Sequence, residues 1–404
     1  MMERPGSLKK IIKDFHSEML RGLQNKKSSL KMLPAYIDRP LSSEKGRSFA
    51  IDLGGTNLRI LEAGLKGKGR IVAFRQRQFS IKRELLSGGA EAFFDFIALS
   101  LKSFLEEKSK LAKNMKLGFT FSFPMLQTGI ASGRLIHWTK EFSVRSVTGK
   151  DVVNLFNAAL IRKGLKGIKI VALLNDTVAT LIARSYKDKN CDIALILGTG
   201  TNACYYDRTR QGIINIEWGS FNKLPRTVYD LELDKSTDNP GEQTLEKMVS
   251  GRYLGRIARL TLKGLGLNIP GLETEYLSGI ELDSSKNLLR VKARLKSLGL
   301  AKSSLEERKL VKDVCLLVSL RAARIVAASL AAVIMHIDKN LSRRHSIAID
   351  GSLYQRHPWF SRNIKLTLKE IFGKKAAKIK LVLTKNGSSQ GAAIAAAVAS
   401  KCKI

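Results

Sequence analysis

Apolar positions along this chain change period several times, and each change marks an element. Between residues 7 and 24, Leu8, Ile11, Ile12, Phe15, Met19, Leu20 and Leu23 recur at helical spacing, which predicts one amphipathic helix. A polar linker with Pro34, Pro40 and Ser42-Ser43 follows. Strand-like runs come next at Arg47–Leu53, Leu58–Ala63 and Ile71–Phe79, with turn signals between them. A helix is predicted over Ala90–Glu107 and a buried strand over Lys116–Ser122. The second half repeats the alternation: a strand at Ile168–Leu174, a helix at Thr177–Ser185, and a strand at Asp192–Leu197 ending in Gly-Thr-Gly. A long Ala- and Val-rich helical pattern spans 306–341, then a short strand Ser346–Ile349 and a closing small-residue helix Gly391–Ser400. Glycine-rich strand–turn–strand units at 50–60 and 193–206 hold similar places in the two halves. They predict a duplicated α/β unit whose copies face each other across a cleft.

Composition narrows the class. The 404 residues predict two lobes, and 44% hydrophobic content is that of a globular chain. Four cysteines (Cys191, Cys204, Cys315, Cys402) lie far apart without CxxC spacing, so neither a disulfide scaffold nor a cysteine-rich zinc site is expected. No run of about eighteen apolar residues is read from the sequence, so no membrane span is expected. Leu8–Leu23 is too interrupted by Lys and Glu for a signal core. Glu3, Asp14 and Glu18 favour a packed helix there over a transit peptide. These features predict a soluble cytoplasmic protein. The formal charge of +35 is uneven: residues 286–404 hold 25 Lys+Arg against 6 Asp+Glu. Nucleic acid or an anionic surface would be attracted to such a chain. The runs lack the interleaved aromatics of a stacking platform, and solvated lysine-rich helix faces are the preferred reading.

Chemistry first shows in Ile51-Asp52-Leu53-Gly54-Gly55-Thr56-Asn57-Leu58-Arg59, where an apolar strand enters a Gly-Gly turn. Glycines let backbone N–H groups approach an anion, Thr56 and Asn57 add donors, and Asp52 suits a magnesium water shell. An ordinary hairpin turn reads equally well. Leu197-Gly-Thr-Gly-Thr-Asn202 has the same logic, and two such turns can grip a polyphosphate from both sides. Neither GxxxxGK[ST] nor a strand-following GxGxxG occurs, which disfavours P-loop and Rossmann chemistry. Asn175-Asp176-Thr177 closes an apolar strand just before a helix, where α/β sheets bind ligands. Asp176 there is either a proton acceptor or a helix cap. Ser122, Thr139, Lys140, Glu217 and Glu246 sit among aromatic or apolar neighbours and together suit a polyhydroxylated substrate.

In order along nearly the whole chain, these motifs resemble the eukaryotic-type hexokinase family. The resemblance is carried by Leu30–Pro34 (LKMLP), Asp52–Arg59, Phe119–Pro124 around FSFP, Trp138-Thr139-Lys140 and Asn175-Asp176-Thr177. It continues through Gly198–Tyr205 (GTGTNACY), Ile216–Gly219, Asn239–Met248, Ser250–Gly255, Asp350–Tyr354 and Gly387–Val398. It implies an α/β, two-lobed, actin-like (ribonuclease H-like) fold with a cleft between a small and a large domain. The implied division is a helix and linker over 1–45 packing on the large domain, a small domain over 46–172, a large domain over 173–386, and a helix over 387–404 returning to the small domain. The implied activity is transfer of the ATP γ-phosphoryl group to the 6-hydroxyl of glucose or a related hexose.

Family roles carry over by position. Asp176 is implied as general base, with Lys140 also catalytic. Ser122, Phe123, Thr139, Lys140, Asn175, Asp176, Asn202, Glu217, Gln243 and Glu246 are implied to line the hexose. Asp52, Gly54, Gly55, Thr56, Asn57, Arg59 and Thr199 are implied at the phosphates, and Gly251, Arg252, Gly351, Ser352, Leu353 and Arg356 at the nucleotide. Mg²⁺ is implied through ATP phosphates and water near Asp52 and Asp176, with no direct protein ligand. Some positions depart from the family: Glu141 replaces a glycine after WTK, Ser389 and Gln390 replace a glycine and a basic residue, and Asn222 and Arg256 replace glycine and glutamate. Two competitors follow: a sugar sensor without turnover, motivated by Glu141 and Gln390, and a nucleic-acid- or anionic-membrane-binding protein on the same scaffold, motivated by the charge.

Overall fold

The computed structural model describes residues 5–54, 57–107, 114–139 and 142–400. The amphipathic helix forms over Pro5–Leu23. It buries Leu8, Ile11, Phe15 and Met19 in the core of the second sheet's lobe, where Phe15 meets Phe221 with ring centroids 4.8 Å apart. The linker holds a short strand, β1 (Leu33–Ala35), that the sequence pattern does not signal. The remaining strands are β2 (Lys45–Leu53), β3 (Asn57–Lys66), β4 (Ile71–Ser80), β5 (Met115–Phe121), β6 (Met125–Gly129), β7 (Ser132–Leu135), β8 (Ile168–Leu174), β9 (Cys191–Leu197), β10 (Thr201–Asp207), β11 (Gly212–Asn215), β12 (His345–Asp350) and β13 (Ile379–Leu383).

Duplication is visible in the strand order. One sheet runs β4-β3-β2-β5-β8 and the other β1-β11-β10-β9-β12-β13. Each begins with an antiparallel meander of three strands, whose first strand then pairs parallel with a later one. Both glycine-rich turns are therefore β-hairpins, β2–β3 and β9–β10, in equivalent places.

The two sheets share one core made of small residues. Ala50, Gly118 and Ala172 lie side by side across β2, β5 and β8, and Cys204, Ala194 and Ala348 do the same across β10, β9 and β12. Rows without long side chains let helices lie close. Two helices, Asp176–Lys187 and Gly387–Ala399, fill this space with Val178, Ala179, Ile182, Ala392, Ala393 and Ala395. A Cβ on Gly391 would sit 1.8 Å from the Ala179 carbonyl oxygen, and one on Gly118 would sit 2.0 Å from that of Ala392. Thr120 Oγ1 donates to the Ser388 carbonyl at 3.1 Å, tying the closing helix to β5.

The helix Leu305–Ile337 corrects one expectation. By length and composition it is long and apolar enough to cross a membrane, yet it lies inside the protein with 78% of its most apolar stretch buried. Its Arg321 makes a buried two-pronged ion pair with Asp230, at 2.7 and 2.8 Å. Its apolarity is that of a central core helix. The described cysteines, Cys191, Cys204 and Cys315, are buried free thiols. Lys374, Lys375, Lys380 and Lys385 of the basic segment are exposed around β13.

Close backbone packing gives a direct test. Gly391→Ala must push two backbones apart and is expected to cost about 3 kcal/mol or more in urea unfolding. Gly279→Ala is the control: its added Cβ meets nothing within 4 Å, and its effect should stay within about 1 kcal/mol.

Candidate active site

Five strand ends and turns converge where the two lobes meet. Asp52 is the penultimate residue of β2, directly opposite Arg59 on β3. Its carboxylate is 2% exposed, with the Arg59 guanidinium 3.6 Å away. Gly54 N donates to Asn57 O at 3.0 Å and closes the hairpin turn. Gln78 on β4 braces the departing strand, donating to Asn57 Oδ1 at 3.0 Å and accepting from Arg59 Nε at 3.4 Å. Burial pushes the Asp52 pKa above the ordinary carboxylate range. The Ser388 and Ser389 hydroxyls and the Arg59 charge oppose that shift, and the negative charge of Asp176 reinforces it. Two carboxylates close enough to repel are a donor set that fits a hard divalent cation or its water shell. Gly55 and Thr56 lie outside the described residues.

The second hairpin is built by backbone contacts. Gly198 N donates to Gly200 O at 3.0 Å, while Gly251 N and Arg252 N donate to Gly198 O and Thr199 O at 2.8 and 3.1 Å. Gly351, at φ +124°, closes the other side, where a Cβ would fall 2.2 Å from the Leu197 carbonyl oxygen. Only glycine tolerates both that conformation and that contact. The turn, Gly251-Arg252 and Gly351 thus form one backbone-bonded cradle beside the exposed Thr199. Ser352 and Arg356 are exposed next to it, whereas Leu353 is buried and packs in the core.

A hydrogen-bonded polar network lies between the hairpins. Asn175 caps the helix Asp176–Lys187, accepting from Thr177 N at 2.9 Å. The capping role therefore belongs to Asn175. Asp176 is the helix's first residue and half-buried, with Oδ1 accepting from Thr177 N at 2.9 Å. Asn202 is the hub: its Nδ2 lies 2.9 Å from Asn215 Oδ1, 3.1 Å from Glu217 Oε1 and 3.4 Å from Asn175 Oδ1. Glu217 Oε1 also accepts from Asn215 Nδ2 at 2.8 Å. Glu246 Oε2 accepts from Thr201 N at 2.9 Å, and a Cβ on Gly200 would lie 2.6 Å from that oxygen. Gln243 Nε2 donates to Ser220 Oγ at 3.1 Å. Glu217 and Gln243 both hold left-handed backbone, at φ 54° and 52°, the kind of local strain that gathers at functional sites.

From the first lobe comes an aromatic anchor. Phe121, Phe123, Trp138 and Phe142 pack ring on ring, Trp138 stacking on Phe142 with centroids 5.5 Å apart. Trp138 Nε1 donates to Val144 O at 2.8 Å. This cluster fixes the loop carrying the half-buried Thr139. Ser122 is buried, and its N–H donates to Leu53 O at 3.3 Å beside the first hairpin. The Phe123 ring is 1% exposed and belongs mainly to the aromatic core, touching the small cavity that Pro34, Asn175 and Asn215 also line. Lys140 and Glu141 lie outside the described residues. Of the other departures, Arg256 bonds Ser236 on the surface and Gln390 accepts from Lys187 Nζ at 3.4 Å.

Sequence reading missed Asn215, Asp350 and Ser388 as site residues. No local signal marks Asn215, the last residue of β11, because its partner Glu217 lies beyond the strand in left-handed backbone. Asp350 holds the cradle, its Oδ1 and Oδ2 accepting from Gly351 N and Gly387 N at 2.8 and 2.9 Å.

Comparison with known proteins gives a consistent picture. Residues 3–186 and 192–398 match the two family models described as hexokinase. Hexokinase-2 of Oryza sativa subsp. japonica is 40% identical, covering 98% of this chain and 89% of the rice protein. Hexokinase-1 of Mus musculus is 38% identical over 97% of this chain and 44% of the mouse protein. Among solved structures, a hexokinase from Schistosoma mansoni complexed with glucose superposes with a TM-score of 0.88 at 33% identity, covering 96% of this chain and 94% of that one. The fold is therefore the two-lobed, actin-like α/β fold of those enzymes.

The network predicts its own fragility. Asn202→Ala strips donors from Glu217 and Asn215 inside a buried cluster, and should cost about 2–3 kcal/mol in urea unfolding.

Proposed function

The chain belongs to the hexokinase family, and on that premise we propose that it transfers the γ-phosphoryl group of ATP to the 6-hydroxyl of glucose or a related hexose, with Asp176 as general base. The observation that carries this reading is the convergence, between two glycine hairpins, of Asp176 with the buried Asn175–Asn202–Asn215–Glu217 network.

Asn175, Asn202, Glu217, Gln243 and Glu246 supply the amides and carboxylates that vicinal hydroxyls need, Ser122, Phe123 and Thr139 come from the other lobe, and Lys140 is a further sugar contact that the family resemblance implies. A sugar lacking one hydroxyl leaves buried groups unpaired, which is a strong basis for selection. Gly54, Gly55, Thr56, Asn57, Arg59 and Thr199 receive the phosphates, and Gly251, Arg252, Gly351, Ser352, Leu353 and Arg356 form the nucleotide side. Mg²⁺, when bound with ATP near Asp52 and Asp176, neutralises phosphate charge. The oxygen of the 6-hydroxyl bonds to the γ-phosphorus as the bond to the β–γ bridging oxygen breaks, ADP leaves, and Asp176 takes the hydroxyl proton. Such transfers pass through a loose transition state, so holding the two oxygens in line supplies most of the acceleration. Closure of the lobes on sugar excludes water, a smaller competing acceptor. Buried thiols at Cys191, Cys204 and Cys315 suit the reducing cytoplasm we assign to the reaction.

The test is ADP release with MgATP and separate panels of glucose, mannose, fructose and N-acetylglucosamine against a no-sugar blank. Sugar-dependent ADP with a phosphorylated hexose product is expected, and Asp176→Ala should lower kcat by ~10²–10⁴-fold with sugar binding retained. Glucose binding without sugar-dependent ADP would select the sensor reading instead.

A further inference from the structure

The first turn of the closing helix, Gly387–Ala399, holds one carboxylate from each sheet. Asp350, at the end of β12, accepts from Gly387 N at 2.9 Å. Asp52, near the end of β2, accepts from Ser388 Oγ at 2.5 Å and Ser389 Oγ at 2.9 Å, both at its Oδ2. Both serines are buried, at 7% and 1% exposed. Ser388 is also held through its carbonyl by Thr120 Oγ1.

We infer that Ser388 and Ser389 are positioning residues for phosphoryl transfer, clamping Asp52 at the first phosphate hairpin and setting its distance from the nucleotide cradle of the other lobe. This inference rests on the phosphate role proposed above for Asp52. Two hydroxyl donors on one carboxylate oxygen stop the group from rotating, and that fixes where its other oxygen points. Hydrogen bonds to an ionised acceptor are about twice as strong as neutral ones, which makes the clamp stiff. The N-terminal end of a helix also favours the negative charge it holds.

The clamp is anchored at both ends. The helix cannot slide, because Gly391 and Gly118 leave no room for even a methyl group between its backbone and its neighbours. Through Asp350 the same turn is bonded to Gly351, whose conformation shapes the second cradle. A single helical turn therefore links the carboxylate of one phosphate site to the backbone of the other. Loss of a serine hydroxyl should loosen the nucleotide and leave the sugar network, which it does not touch, intact.

Ser389→Ala and Ser389→Gly in the full chain test this, the first removing the hydroxyl and the second the whole side chain. MgATP and glucose are varied separately, AMPPNP binding is followed by calorimetry with and without magnesium, and sugar binding by tryptophan fluorescence. The expected result is a roughly fivefold to tenfold rise in the KM for MgATP and in the AMPPNP Kd, with the glucose Kd within about twofold. Ser388→Ala/Ser389→Ala should go further in the same direction. Unchanged nucleotide affinity with only a lowered melting temperature would overturn the inference and leave the serines a purely structural role. Asp52→Asn separates the two ideas. If it binds AMPPNP as tightly as the parent chain, the phosphate role of Asp52 is wrong and the inference falls with it. If it weakens binding while the Ser389 variants do not, the positioning role alone is wrong.

Discussion

Everything in this molecule is arranged around one close approach: the backbone of the helix Gly387–Ala399 against β5 on one side and against the helix Asp176–Lys187 on the other. Gly118 and Gly391 make both contacts possible, with carbonyl oxygens occupying the space where side chains would be. Small residues across three adjacent strands of each sheet extend the same logic, so two helices fit between two sheets. Interiors are packed to crystal density, and such a layer has little freedom to deform. The ends of β2, β8 and β12 are consequently held at fixed separations, and those ends carry Asp52, Asn175-Asp176 and Asp350.

The site inherits this rigidity and adds a polar network of its own. Asn202 and Asn215 direct their amides at Glu217, and Asn175 caps a helix while accepting from the same hub. Each member is a buried polar group whose partner is another member, so the cluster is stable as a set and poorly tolerant of single losses. The same cluster concentrates amides and carboxylates, the groups that a ligand with several neighbouring hydroxyls requires. At Asn175-Asp176 the two side chains share the Thr177 N–H, Asn175 as the N-cap and the half-buried Asp176 as the first residue of the helix.

Much of this was legible in the sequence because it rests on local rules. Both glycine hairpins, the parallel strands ending in Asn-Asp and Gly-Thr-Gly, and the N-terminal amphipathic helix follow from period and turn chemistry, and they form at the expected places. The linker strand Leu33–Ala35 was not legible, because it exists only by pairing with β11, 182 residues away in register at Leu33↔Asn215. The long helix Leu305–Ile337 misleads in a different way: its apolarity is that of a segment surrounded by protein on most sides, and composition alone does not say what surrounds it. Asn215 was overlooked since an asparagine in a strand has no meaning until its neighbours across the sheet are known.

What the sequence determined by itself is the set of chemical groups and the elements that carry them: Asp176, Glu217, Glu246 and the two glycine turns, in an order that marks a duplicated α/β chain. Tertiary structure alone decided which groups act on one another. It made Asn202 a hub, drew the Phe123 ring into an aromatic core, and brought Ser388 and Ser389 to Asp52 across more than 330 residues of chain. The physical reason is range. Periodicity, turn preference and capping act over a few residues, whereas hydrogen bonds between buried side chains depend on where packing sets whole elements. That placement is fixed here by the backbone contacts of a helix close to the end of the chain.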